Sequence, residues 1–301
     1  MSLSTTDSEM RTVVRAACLL AGIDADDSEP VRLGARPVYR LPGGVVARVH
    51  RPGQGAQAQR TVASARWLRW SGVDAVQPLS GVRQPLQVHD RAVTFWRELP
   101  PHRPAAPAQT AAALAHVHSL PLPPELDLGL VEPFAPLEHR IRAVTTLGED
   151  DRRWLREHLG ELRDRWTALP AGRPWCVIHG DATTGAVVAT TDGRVVVRRL
   201  DRLMIGPPEW DLVPTALELM SLGWTTAHHY AEFCHAYGYD VVRWAGYFLL
   251  RDIRELHLTL RAARPGHRSQ ALHRLSCLRG DEGPRPWPGW RRLRSHASVL
   301  G

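Results

Sequence analysis

The sequence predicts an α+β fold in two parts: a small N-terminal lobe of antiparallel strands and a larger, mainly helical C-terminal lobe. Three observations lead there. Short apolar runs bounded by turn residues dominate up to residue 99, and apolar residues recur at helical spacing over most of the chain after residue 105. Between them lies Pro100-Pro101-His102-Arg103-Pro104, a linker composition. The limits read from this are an N-terminal lobe at 1–99, a hinge at 100–104 and a helical lobe at 105–301.

In the N-terminal part, Thr6-Asp7-Ser8-Glu9 has the form of a capping box and predicts a helix to about Leu20. Val38, Leu41, Val45, Val46 and Val49 flank the turn Pro42-Gly43-Gly44 and predict a hairpin within 31–50. A helix over 56–70 stops at Gly72, and a second hairpin joins 86–88 to 92–95 around His89-Asp90-Arg91.

Beyond the linker, a helix over 109–120 ends at Pro121. Leu155, Leu159, Leu162, Trp166 and Leu169, spaced 4, 3, 4 and 3, predict a long amphipathic helix. Residues 175–178 read as a short buried strand. Residues 186–190 and 194–200 read as a hairpin around Asp192-Gly193. After Pro208 the pattern is helical to about Leu278, and a tail rich in Pro and Trp follows.

With 301 residues, 44% hydrophobic and 23% charged, the chain can bury a full core. The formal charge of +7 comes from 38 cationic side chains, every one an arginine; lysine and asparagine are absent. These cations are scattered rather than grouped in blocks, which argues against a nucleic-acid partner. Cys18, Cys176, Cys234 and Cys277 form no C-x-x-C pair and sit in apolar surroundings, as buried thiols of a reducing compartment do. The polar, acidic N-terminus and the lack of any run near eighteen apolar residues predict a cytoplasmic protein with no membrane partner. His116, His118, His228 and His229 have no H-E-x-x-H pattern or cysteine-rich partner set and read as ordinary core or surface histidines.

The chemistry-bearing stretch is Val177-Ile178-His179-Gly180-Asp181, then a hairpin, then Gly206-Pro207-Pro208-Glu209-Trp210-Asp211-Leu212. An apolar strand ending in His-Gly-Asp sets a carboxylate at the lip of a cleft, and the hairpin returns a second polar position beside it. Phosphoryl transfer needs such a carboxylate to orient an attacking hydroxyl, together with ligands for Mg²⁺ on the phosphates.

On these residues, with Val38-Tyr39-Arg40-Leu41, Val46-Ala47-Arg48-Val49, Phe95-Trp96 and the L-x-x-x-H-x-L run from Leu114 to Leu120, the chain resembles the aminoglycoside-phosphotransferase and choline-kinase-like family. The resemblance implies a protein-kinase-like two-lobed fold and ATP as the nucleotide. It puts Asp181 at the catalytic-base position and Arg48 at that of the lysine on the α- and β-phosphates. His179 and Asp211 correspond to residues that brace the loop. The acceptor site would lie on the C-terminal helices, where Glu218, Asp240, Asp252 and Glu255 could meet a polycation.

The same resemblance exposes departures. The family's metal-binding asparagine, five residues after the aspartate, is Ala186, and a methyl group cannot ligate Mg²⁺. The second ligand, seven residues before Gly206, is Arg199, whose guanidinium repels a cation and suits an anion or nucleotide instead. Asp201 would share a strand face with residue 199 and is the substitute ligand a register shift could supply. The glutamate that partners Arg48 is Thr61, and no acid occurs between Arg48 and Asp74. The expectation is a binding or regulatory pseudokinase, impaired in Mg²⁺-ATP phosphoryl transfer and acting by binding a small molecule, peptide or protein partner. The alternative is a working ATP-dependent phosphotransferase with an alcohol acceptor.

Overall fold

The computed structural model describes residues 3–287 and 289–292. Its N-terminal part contains helix α1 (Leu3–Ala21), strands β1 (Glu29–Arg32), β2 (Val38–Leu41) and β3 (Val45–Val49), helix α2 (Gly55–Trp70), and strands β4 (Leu86–Val88) and β5 (Arg91–Arg97). The strands form an antiparallel sheet in the order β1-β2-β3-β5-β4.

Because side chains alternate across a sheet, its two faces serve two cores. Tyr39, Leu41, Val45, Ala47, Val49, Val93 and Phe95 pack with Val14, Ala17 and Cys18 of α1. Val38, Val46 and Trp96 pack with Val62 and Leu68 of α2 on the other face. The Pro42-Gly43-Gly44 turn is as predicted, with both glycines at positive φ.

The C-terminal part begins with β6 (His102–Pro104), α3 (Pro107–Ser119), α4 (Phe134–Ala143), α5 (Glu149–Thr167) and β7 (Cys176–Ile178). It continues through β8 (Val187–Thr190), β9 (Val195–Val197), a 3₁₀ turn (Leu200–Arg202) and β10 (Met204–Gly206). Helices α6 (Glu209–Met220), α7 (Ala227–Tyr237), α8 (Tyr247–Ala262) and α9 (Arg268–Arg279) complete it. Strands β6, β8 and β9 make one small sheet, and β10 pairs with β7 in another. Within the Pro100–Pro104 segment, residues 102–104 are thus tied by antiparallel pairing to β8. The architecture is the expected two-lobed, kinase-like one.

Locally the structure departs from the sequence reading or adds to it. Helix α1 begins at Leu3, so Thr6 lies inside it rather than at its cap. The Asp7 side chain instead accepts hydrogen bonds from Tyr39 and Arg11. The strand expected to run to Leu200 stops at Val197, because Arg199 turns into the left-handed region at φ 56°, ψ 45°. Helix α4 was not legible beside its prolines, yet Phe134, Leu137 and Ile141 line its buried face, and the Glu132 carboxylate accepts from the Phe134 and Ala135 amides. In the tail, Trp287 and Trp290 are buried against Leu217, Leu222 and Cys277. Cys18, Cys176 and Cys277 are buried free thiols, while Cys234 is only partly buried. No helix among the described residues is long and apolar enough to cross a membrane.

The Tyr39 hydroxyl donates to the Asp7 carboxylate at 2.7 Å, tying α1 to the sheet. That bond, then the Arg11 hydrogen bond, holds the Asp7 pKa below its ordinary 3.8. Tyr39→Phe is expected to cost about 1–2 kcal/mol in urea denaturation at pH 7. A depressed folded-state pKa stabilises above the unfolded value and ceases to do so as pH falls through the folded one. The difference between wild type and variant should therefore shrink below about pH 4.

Candidate functional site

Strand β7 delivers the His-Gly-Asp loop from a fully buried position. Val177 points into the core shared with α2, and Ile178 into the main helical core. Gly180 follows at φ +78°, where a Cβ would lie 2.3 Å from the Arg202 carbonyl oxygen, so no larger residue fits the turn.

Two buried polar residues fix the loop. Asp211, in the first turn of α6, accepts from the amides of His179 at 2.5 Å and Gly180 at 2.9 Å, and from His118 Nε2 at 3.1 Å. The His179 Nε2–H donates to the Arg198 carbonyl at 2.6 Å, and its Nδ1 accepts from the Asp181 amide at 3.2 Å. This pattern assigns the tautomer and clamps the loop against the chain at residues 198–199. Burial alone would raise the Asp211 pKa, but the His118 hydrogen bond and charge and the hydrogen bond from the His179 amide together lower it.

His118 is the residue that sequence reasoning passed over. It bridges Asp211 and the Tyr237 hydroxyl, and the L-x-x-x-H-x-L spacing was the signal that marked it.

Around Asp181, Arg199 sits with its Nη1 3.6 Å from the Asp181 carboxylate. Its Nη2 donates to the Thr183 carbonyl at 2.9 Å and to the Thr183 hydroxyl at 3.2 Å. The left-handed backbone turns this side chain back toward the loop, at a cost of about 1–2 kcal/mol for a residue bearing Cβ. Both partners are about a third exposed (31% and 29%). Water screens the pair, and it contributes no more than about 1 kcal/mol to stability. Its weight lies in the sign of the charge it sets beside Asp181.

The other positions diverge. Ala186 is 1% exposed, with its carbonyl accepting from the Arg198 amide. Asp201 does not share a face with residue 199, because residues 200–202 form the 3₁₀ turn. Its carboxylate accepts from Arg36 Nη1 at 2.9 Å. Arg48 on β3 stacks over the Trp96 ring at 5.0 Å. Burial pushes its guanidinium down to about 9, against a favourable contribution from Asp201. Thr61 on α2 is buried and donates to the Gln57 carbonyl.

A sequence profile described as the Phosphotransferase enzyme family (APH) matches residues 27–276. The chain belongs to this family. Comparison with curated protein sequences found no match.

Among solved structures, the chain is similar to a choline/ethanolamine kinase family protein from Mesorhizobium loti. The identity is 18%, with 95% of this chain and 96% of that one covered and a TM-score of 0.63. It is similar to an amicoumacin kinase solved with AMP-PNP, Ca²⁺ and Ami, at 10% identity, 94% and 98% coverage and a TM-score of 0.67. An aminoglycoside phosphotransferase from Streptomyces rimosus aligns at 21% identity, 82% and 97% coverage and a TM-score of 0.57. At these identities the likeness is one of fold.

In this phosphotransferase-family chain two cavities meet at Asp181. One, of about 350 Å³, lies against α4 and α8; the other, of about 260 Å³, lies between the loop, α6 and α8. The acids that could have faced a polycation have partners within the chain, and Glu218 alone among them also lines the second cavity. Glu218 binds Thr184 and Arg292, and Asp240 binds Tyr230. Asp252 binds Arg165, and the fully buried Glu255 binds Arg285 through two bonds.

Asp211→Ala leaves two loop amides and an imidazole without their acceptor. It is expected to lower stability by about 3–5 kcal/mol in urea denaturation at pH 7.

Proposed function

We propose that this protein is a kinase-fold binding protein whose Mg²⁺-ATP phosphoryl transfer is impaired, acting through a small molecule, peptide or protein partner. The observation that carries this reading is Arg199, held 3.6 Å from Asp181 where the resemblance expects a metal-binding carboxylate. The surrounding donor set does not fit Mg²⁺, which requires oxygen ligands in near-octahedral geometry. Ala186 offers a buried methyl group, and Asp201 is taken by Arg36. Asp181 itself faces a guanidinium.

Metal clamping supplies several kcal/mol of transition-state stabilisation. Since about 1.4 kcal/mol is a tenfold change in rate, losing it slows transfer by a thousandfold or more. A nucleotide bound beside Arg48 and Arg199 would then be held by arginines rather than through a metal ion.

One observation favours the rival reading of a working phosphotransferase with Asp181 as base. The Asp181 carboxylate is part-exposed and lines both cavities, within reach of an acceptor hydroxyl.

Thermal unfolding with ATP, in Mg²⁺ and in EDTA, separates the two. Impairment predicts the same shift in both, up to about 2.7 kcal/mol at a hundredfold excess over Kd, or no shift in either. Arg199→Asp, alone and with Ala186→Asn, should make the shift depend on Mg²⁺. A wild-type shift that needs Mg²⁺, together with ATP turnover abolished by Asp181→Asn, would establish the rival.

A further inference from the structure

The larger of the two cavities at Asp181 is lined by Arg140, Arg199, Arg202, Arg254 and Arg261, with Asp181 and Glu132 as its carboxylates. Glu132 is already spent on the α4 amides. Five cations therefore face one uncommitted acid, itself beside Arg199.

The arginines feel one another. Burial lowers the Arg140 pKa, and repulsion from Arg261 and Arg202 adds to it while Asp181 partly relieves it. His257, in the same wall, accepts from Arg140 Nη1 at 3.2 Å. Burial first, then the charges of Arg140, Arg254, Arg261 and Arg202, hold its pKa well below 6.5, so it adds no charge at neutral pH.

The donors also outnumber their acceptors. Arg254 is only 7% exposed and stacks on the Trp210 ring at 4.1 Å. Its Nη2 donates to the Trp210 carbonyl at 3.0 Å, but its Nε has no acceptor among the described residues. The Arg199 Nε is likewise buried without one. Arg202 and Arg261 find no carboxylate partner among the described residues. Buried donors are almost always satisfied, and like charges gathered in a cleft repel unless an anion joins them. Meanwhile the acids of the C-terminal helices are paired outside this cavity.

We infer that the cavity between α4, α8 and the Asp181 loop binds a small organic anion bearing at least two phosphate or carboxylate groups, and rejects polycations. Arg202 and Arg261, with the Arg140 N–H groups not used on His257, supply guanidinium donors whose planar forks match such oxygens. Arg254 anchors the floor. At about 350 Å³ the cavity is at the small end of ligand sites. The adjoining space, walled by Leu217, Leu222, Trp224 and Leu258, has room for an apolar body attached to the charged group. This rests on the proposed function only in taking the cleft as ligand-binding, and needs neither ATP nor Mg²⁺.

The test is titration calorimetry of the full chain in EDTA with pyrophosphate, citrate and spermidine. Pyrophosphate or citrate should bind and spermidine should not; which of the two anions binds more tightly tells phosphate from carboxylate recognition. Arg140→Ala and Arg261→Ala should each weaken binding at least tenfold, and the Arg→Lys change at either site should recover part of it. Arg153→Ala, a surface cation of α5 paired with Asp150, should change nothing. Thermal melts of every variant separate lost binding from lost folding.

The inference is overturned if spermidine binds and both anions do not, or if no probe binds. It is also overturned if Arg48→Gln removes anion binding while Arg140→Ala and Arg261→Ala leave it intact, since the anion would then occupy the nucleotide side. None of these outcomes bears on whether Mg²⁺-ATP chemistry persists.

Discussion

A guanidinium faces a carboxylate across 3.6 Å, Arg199 against Asp181, and the proposed reading of the cleft depends on that contact. Both groups are part-exposed, so solvent makes the pair weak as a source of stability. Its consequence is local: on the proposed reading, a positive charge on a covalent tether stands where the resemblance expects a metal-binding carboxylate. A tethered monocation repels metal, accepts anions and cannot bridge two phosphate oxygens as a metal ion does.

The fold enforces this placement through buried hydrogen bonds rather than through the ion pair. His179 joins the Asp181 loop to the Arg198 carbonyl, and Asp211 holds the loop from below. With residue 198 anchored by its amide to Ala186, the left-handed turn at Arg199 returns its side chain over Thr183. The arginine-only cation content then shapes the surroundings. Rigid, always-charged forks stack on Trp96 and Trp210 and pair with the acids of the C-terminal helices. Five arginines line the cavity beside Asp181.

Much of this was legible in the sequence because its signals were local. Short apolar runs around turn residues pointed to the hairpins of the N-terminal sheet, the 4-3-4-3 spacing to α5, and His-Gly-Asp with G-P-P-E-W-D-L to the loop and its brace. The misreadings share a cause in tertiary context. A left-handed arginine has no composition signal, so the strand was carried too far and Asp201 was put on the wrong face. Helix α4 hides among prolines and depends on Glu132 for its start. Glu255 and Asp252 pair with arginines remote in sequence, Arg285 and Arg165, which no local pattern shows. The same long-range assembly conceals the cationic cavity, whose arginines come from α4, the 3₁₀ turn and α8.

The most direct measurement is anomalous diffraction from crystals grown with Mn²⁺ and a non-hydrolysable ATP analogue. With Arg199 acting as the resident cation, no anomalous peak lies at the Asp181 loop and the guanidinium stays beside the carboxylate, while Arg199→Asp crystals acquire a peak there. A wild-type peak bridging nucleotide phosphates and an oxygen of Asp181 or Asp201, with Arg199 swung away, would contradict it.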